Sequence, residues 1–244
     1  MDAKSSYSSK ITAADVKDCD DHESNNNKNN RVAEAKSSAK DEDPSHFSKL
    51  QCTNLMSFGE RHVQEFLECA SENMKSTPWQ FVMRRSDLFD LELYCVKVAN
   101  SKYNRWQSTC TLPYRIEQVV PLLVNGATRV TWDHTMVNFE TYPIEGTTEM
   151  SLQRYGSKAV GPISSRDSCV ISVTRSYENG TRVLCAGSSI PSSQEHTNGL
   201  IPEVPGIIRM EIMRSGFLFE RCGDNGQETK VCISFLVVSR IDLY

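Results

Sequence analysis

The chain has 244 residues and a mass of 27.5 kDa, with 27 Lys and Arg against 31 Asp and Glu, a formal net charge of −4. This length suits one large domain, and the acidic balance leaves no cationic excess to meet a nucleic-acid backbone. No apolar run approaches the roughly 18–20 residues of a membrane-spanning helix, and the N-terminus lacks the apolar stretch of a secretion signal, so a cytoplasmic location is predicted.

Residues 1–50 contain only Ile11, Val16, Val32, Phe47 and Leu50 among Leu, Ile, Val and Phe, together with an Asn-rich stretch over 25–30. Such a segment cannot bury enough apolar area to offset its ordering entropy, which predicts a disordered polar tail over 1–50 and a domain over 51–244. The nine cysteines lie at 19, 52, 69, 95, 110, 169, 185, 222 and 232, with no Cys-x-x-Cys pair. They read as reduced thiols on strands, not as a zinc site or a disulfide framework, and no metal or cofactor is expected.

Val63, Phe66, Leu67, Ala70 and Met74 recur at helical spacing, which predicts a helix over 55–74 closed by Pro78. Three strands follow, over 79–85, 91–99 and 104–111, in the pattern of a meander. Pro113 opens a second, shorter helix whose inner face carries Ile116, Val119, Val120 and Leu123, and Pro121 should kink it. Strands over 136–142 and 147–155 are joined across Ile144-Glu145-Gly146, and strands over 168–177 and 181–190 by a hairpin at Asn179-Gly180. Two long strands close the chain. Ile208, Met210 and Ile212 alternate with Arg209 and Glu211 ahead of a bulge at Gly216, and Val231, Ile233, Phe235 and Val237 share one face of the last strand, which runs to about residue 242. The set is α+β, with a long curved antiparallel β-sheet that must curl around side chains or an apolar ligand.

Trp132-Asp133-His134-Thr135, Val160-Gly161-Pro162, Ser165-Arg166-Asp167 and Pro205-Gly206-Ile207-Ile208-Arg209-Met210-Glu211 follow one another in an order that resembles the START (StAR-related lipid transfer) family over roughly 55–244. The resemblance implies a helix-grip fold enclosing an apolar cavity for a single lipid: a phospholipid, sphingolipid or sterol. Members bind and transfer lipid between membranes without chemistry, so the implied partners are a lipid ligand and, transiently, membrane surfaces, with peripheral placement at organelle membranes.

Trp132 through Phe139 is closest in pattern to the ceramide-transfer subgroup. Carried over residue by residue, that subgroup's four hydrogen-bonding positions fall on Glu145, Ser165, Ala186 and Phe235, of which only Glu145 keeps the subgroup's residue. A site missing three of four partners loses discrimination for ceramide. The charged cavity pair of the sterol-binding subgroup falls on Gln153 and Ser172. With the cavity face of the strands added, the lipid-binding candidates are Glu145, Gln153, Tyr155, Ser165, Ala186, Met210, Ile212 and Phe235. Arg166 and Asp167 read as a structural ion pair or cap, and Trp132 as core or rim packing.

No Gly-x-Ser-x-Gly elbow, His-Glu-x-x-His or glycine-rich phosphate loop occurs, and His196 lies in a polar loop with nothing to orient it toward Cys185. Two rival readings stay open: a lipid-sensing or scaffold module without transfer activity, and a small-molecule enzyme of the wider helix-grip superfamily. The sequence also ends at Leu243-Tyr244, where the family continues into a C-terminal helix over the tunnel, so that helix is expected to be missing and one side of the cavity open.

Overall fold

The computed structural model describes residues 47–76, 78–87, 89–99, 101, 103–159, 164–190 and 200–238. By its internal contacts the chain divides into Met1–Asp41, which lies outside these residues, and Glu42–Tyr244. The expected disordered tail lies almost wholly outside the described residues, as do Val160-Gly161-Pro162, His196 and the C-terminal Leu243-Tyr244.

Helix α1 spans Lys49–Ser71, beginning six residues before the predicted start. Its first turn is too polar to show a helical period, but Ser48 and Gln51 form a capping box. The Gln51 amide donates to Ser48 Oγ at 3.3 Å and the Ser48 amide to Gln51 Oε1 at 2.7 Å. The meander follows as β1 (Gln80–Arg85), β2 (Leu91–Lys97) and β3 (Asn104–Leu112). Helix α2 (Ile116–Val124) contains Pro121, and a helix absent from the sequence reading, α3 (Gly126–Trp132), follows at once. Asn125 caps α3 by accepting from the Thr128 amide at 3.0 Å.

The remaining strands are β4 (Met136–Pro143), β5 (Met150–Ser157), β6 (Arg166–Tyr177), β7 (Arg182–Ser189), β8 (Ile208–Arg209), β9 (Glu211–Cys222) and β10 (Glu228–Val238). They form one curved ten-stranded sheet in the order β1-β2-β3-β10-β9-β7-β6-β5-β4. All pairs are antiparallel except the two-residue β8, which lies parallel to the start of β6. The hairpin at Asn179-Gly180 turns through three residues with positive φ, Glu178, Asn179 and Gly180. The predicted bulge sits where β10 shifts register between Ser234 and Leu236, opposite Met213–Gly216, and Arg214 takes φ +48° to make it.

The two faces of the sheet carry different helices. Leu55, Val63 and Phe66 of α1 are fully buried against Ile171, Val173, Leu184 and Ala186. On the opposite face, Ile116 and Val119 of α2 pack on Phe219 and Val231. Adjacent residues such as Leu218 and Phe219 therefore belong to different cores, as strand alternation requires. The same alternation corrects the Arg166–Asp167 pairing. Asp167, 2% exposed, accepts from Arg154 Nε at 3.0 Å and from Arg209 Nε at 2.8 Å, while Arg166 points away from it.

Candidate functional site

The α2–α3 face of the sheet holds a cavity of about 100 Å³. Leu123 and Val124 of α2 and Gly126 and Arg129 of α3 cover it, and side chains of β4, β5, β6, β7 and β9 form its floor. Glycine sets the packing on both faces here. A Cβ on Gly126 would come within 2.2 Å of the Phe139 ring, so only glycine lets α3 lie flat on β4. Gly216 serves the opposite face, where a Cβ would meet the Cys185 carbonyl at 2.5 Å and the Phe66 ring of α1 at 2.9 Å.

The wall is largely apolar, with Met136, Phe139, Val170, Ile212 and Phe217, and its polar groups are few. Gln153 Nε2 donates to Ser151 Oγ at 3.1 Å. Burial pushes the Tyr155 phenol up to about 12, an effect that the nearby Arg129 guanidinium opposes. Arg129 Nη2 donates to Asp133 Oδ2 at 2.7 Å, one turn along α3, whereas its Nε is buried without a partner. Hydrogen bonding to Thr135, against the cost of burial and with help from Arg129, holds the Asp133 carboxyl below its usual range, so it is a carboxylate at neutral pH. Cys185 faces the same space, its sulfur 4.0 Å from Ser172 Oγ, and burial raises its thiol, the reverse of an activated nucleophile. No cluster of metal-ligating side chains occurs among the described residues.

Of the eight candidates named from sequence, the structure brings Gln153, Tyr155 and Ile212 together in this wall. Ala186 is fully buried on the opposite face beneath α1, one residue out of phase with Cys185 and Gly187, which do line the cavity. Glu145 is exposed in the β4–β5 turn. Ser165 precedes β6 and accepts from the Ile208 amide at 3.3 Å, and Met210 sits in the break between β8 and β9, its amide donating to the Asp167 carbonyl at 2.7 Å. Phe235 is 36% exposed and falls in the register break of β10. Sequence reasoning missed Arg129. Its signal was the Arg129-x-x-x-Asp133 spacing, which places a guanidinium and a carboxylate one helical turn apart.

Comparison with known proteins agrees with this architecture. The START domain family model matches residues 97–244. Among curated proteins no sequence matches the chain. The fold is similar to that of human StAR-related lipid transfer protein 5, with a TM-score of 0.64 at 16% identity over 76% of this chain and 82% of that one. Human STARD10 gives a TM-score of 0.61 at 14% identity, covering 74% and 69% of the two chains. The human StarD13 (DLC2) lipid transfer and protein localization domain gives 0.55 at 15% identity, covering 80% and 85%. With a family model spanning more than half its length and a helix-grip sheet of this form, the chain belongs to the START domain family.

Proposed function

We propose that the protein binds one phospholipid in the cavity between the sheet and the α2–α3 pair and carries it between membranes unchanged. The observation that supports this reading is Arg129, whose guanidinium is, among the described residues, the one charged group lining the cavity and whose Nε is buried and unpartnered. A guanidinium has five N–H donors and matches a phosphate in fork geometry, so one bond to Asp133 leaves donors for a lipid phosphate. A sterol hydroxyl is uncharged and presents a single oxygen, so it cannot take the fork in bidentate fashion or neutralise its charge.

A cavity of about 100 Å³ lies below the roughly 300–1,000 Å³ of sites that hold organic ligands, so lipid entry requires α2 and α3 to move away from the sheet. Their attachment suits that motion: α2 is anchored by the small cluster of Ile116 and Val119 on Phe219 and Val231, separate from the larger core beneath α1. The test is lipid extraction and mass spectrometry of the purified protein beside Arg129→Met. Phospholipid should co-purify with the unmodified chain and fall at least several-fold in the variant. Equal phospholipid in both, or sterol alone in both, overturns the assignment.

A further inference from the structure

Four chain segments meet along one end of the sheet beside the cavity. Helix α3 ends at Trp132, and the turn through Asp133 and Thr135 leads into Met136. Met136 pairs with Ser157, Ser157 with Arg166, and Arg166 with Ile208, while the Lys158 amide donates to the Thr135 carbonyl at 3.0 Å. Trp132 Nε1 donates to the Leu122 carbonyl at 3.2 Å, which joins the end of α2 to the same row.

The side chains of this row share a chemistry. Trp132 is 43% exposed, Leu122 51% and Ile208 36%, so the row carries an exposed apolar patch and not a single apolar side chain. Lys158 is exposed and Arg166 half-buried, its Nε buried without a partner, and neither makes an ion pair among the described residues. The acidic groups of the row are already neutralised. Asp133 is held by Arg129 and Thr135, and Asp167 is buried between Arg154 and Arg209. Two uncompensated cations thus stand beside exposed Trp and Leu on a chain whose net charge is −4. That asymmetry orients this end toward a negative surface, and tryptophan favours the headgroup level of a bilayer.

We infer that this row is the surface by which the protein docks on an anionic phospholipid bilayer, with Trp132 and Leu122 entering the headgroup layer and Lys158 and Arg166 facing lipid phosphates. The inference rests on the carrier reading above and extends it. Arg129 and Met136 belong to the cavity wall and adjoin the row, so docking here turns the cavity and its α2–α3 cover toward the membrane.

The test is sedimentation of the full chain with phosphatidylcholine vesicles, with and without phosphatidylserine. Binding should require phosphatidylserine. Lys158→Ala should weaken it about five-fold, the value of one basic side chain at an anionic surface. Leu122→Asp should weaken it about ten-fold or more, from the lost transfer of one leucine. Lys230→Ala, at an exposed lysine paired with Glu220 on β10, should leave binding unchanged. Co-purified lipid and melting temperature should be those of the unmodified protein in all three variants. No binding to phosphatidylserine vesicles, unaltered binding of Lys158→Ala and Leu122→Asp, or an equal loss in Lys230→Ala overturns the docking surface. Docking that responds to the substitutions in a protein without extractable lipid supports this surface and overturns only the carrier reading.

Discussion

Asp167 lies at the meeting point of β5, β6 and β8, and two arginines close on it. Arg154 donates to Oδ2 at 3.0 Å, and Arg209 donates to both oxygens while also reaching the Ile201 and Pro202 carbonyls at 3.4 and 3.2 Å. Asp167→Asn keeps the shape but leaves two guanidinium groups facing each other, so about 3 kcal/mol of stability should be lost, read as a lower urea midpoint. His62 is a second buried polar residue, 3% exposed on the inner face of α1 with Nε2 unpartnered. Burial lowers its pKa, against the Ser215 and Gly187 carbonyls and Glu65, which raise it, and Arg214 assists the lowering. Arg61 and Glu211 border the same cleft. The unfolded chain therefore binds a proton at a pH where the folded one does not. The neutral imidazole's stabilising contribution is full above the unfolded value near 6.5 and is lost as pH falls below it toward the folded value. His62→Leu should flatten that part of the stability–pH curve, measured by urea unfolding from pH 7.5 down to about pH 5; an unchanged slope would show that other groups set it.

Helix α1 was legible because Val63, Phe66, Leu67 and Ala70 repeat at helical spacing and face one core. Helix α3 was not, since Gly126-Ala-Thr-Arg-Val-Thr-Trp is only seven residues long, starts on glycine and is rich in β-branched side chains. What holds it is tertiary: the Asn125 cap and the close contact of Gly126 with Phe139. The cavity was legible to the same degree. Tyr155, Gln153 and Ile212 follow from strand alternation, but Ala186 and Cys185 differ by one position, and a one-residue error in phase exchanges the ligand face for the core. A substitution at the α3 contact should separate these roles. Gly126→Ala forces the Phe139 ring and α3 apart, costing about 1–3 kcal/mol. It should also lower the yield of co-purified lipid by displacing Arg129 from the wall. A loss of lipid without a fall in melting temperature, or the reverse, would separate the helix's packing role from its binding role.

At the scale of the whole molecule, the chain closes its sheet in the middle. The N-terminal meander β1-β2-β3 and the group from β9 to β4 share no strand pairing with each other, and β10, near the C-terminal end, lies between them, bonded to β3 on one side and β9 on the other. Each strand except the two-residue β8, which the sequence pattern merges with β9, could be read from its own residues. This order could not, because pairing two segments more than a hundred residues apart leaves no local periodicity to detect. The consequence is that a fault in β10 should be global, whereas one in β1 should stay local. Val231 is 1% exposed, pairs with Cys110 and Phe219, and packs beneath α2. Val231→Pro removes a ladder donor from the central strand and should abolish the cooperative urea transition and the near-ultraviolet dichroism. Val82 is 42% exposed on the edge strand β1, within the register shift between Phe81 and Met83, a position where proline is tolerated. Val82→Pro should keep a single cooperative transition displaced by no more than about 1–2 kcal/mol, within the range of ordinary substitutions. Comparable damage from both, or a preserved transition in Val231→Pro, would mean that the two halves of the sheet fold without β10 to join them.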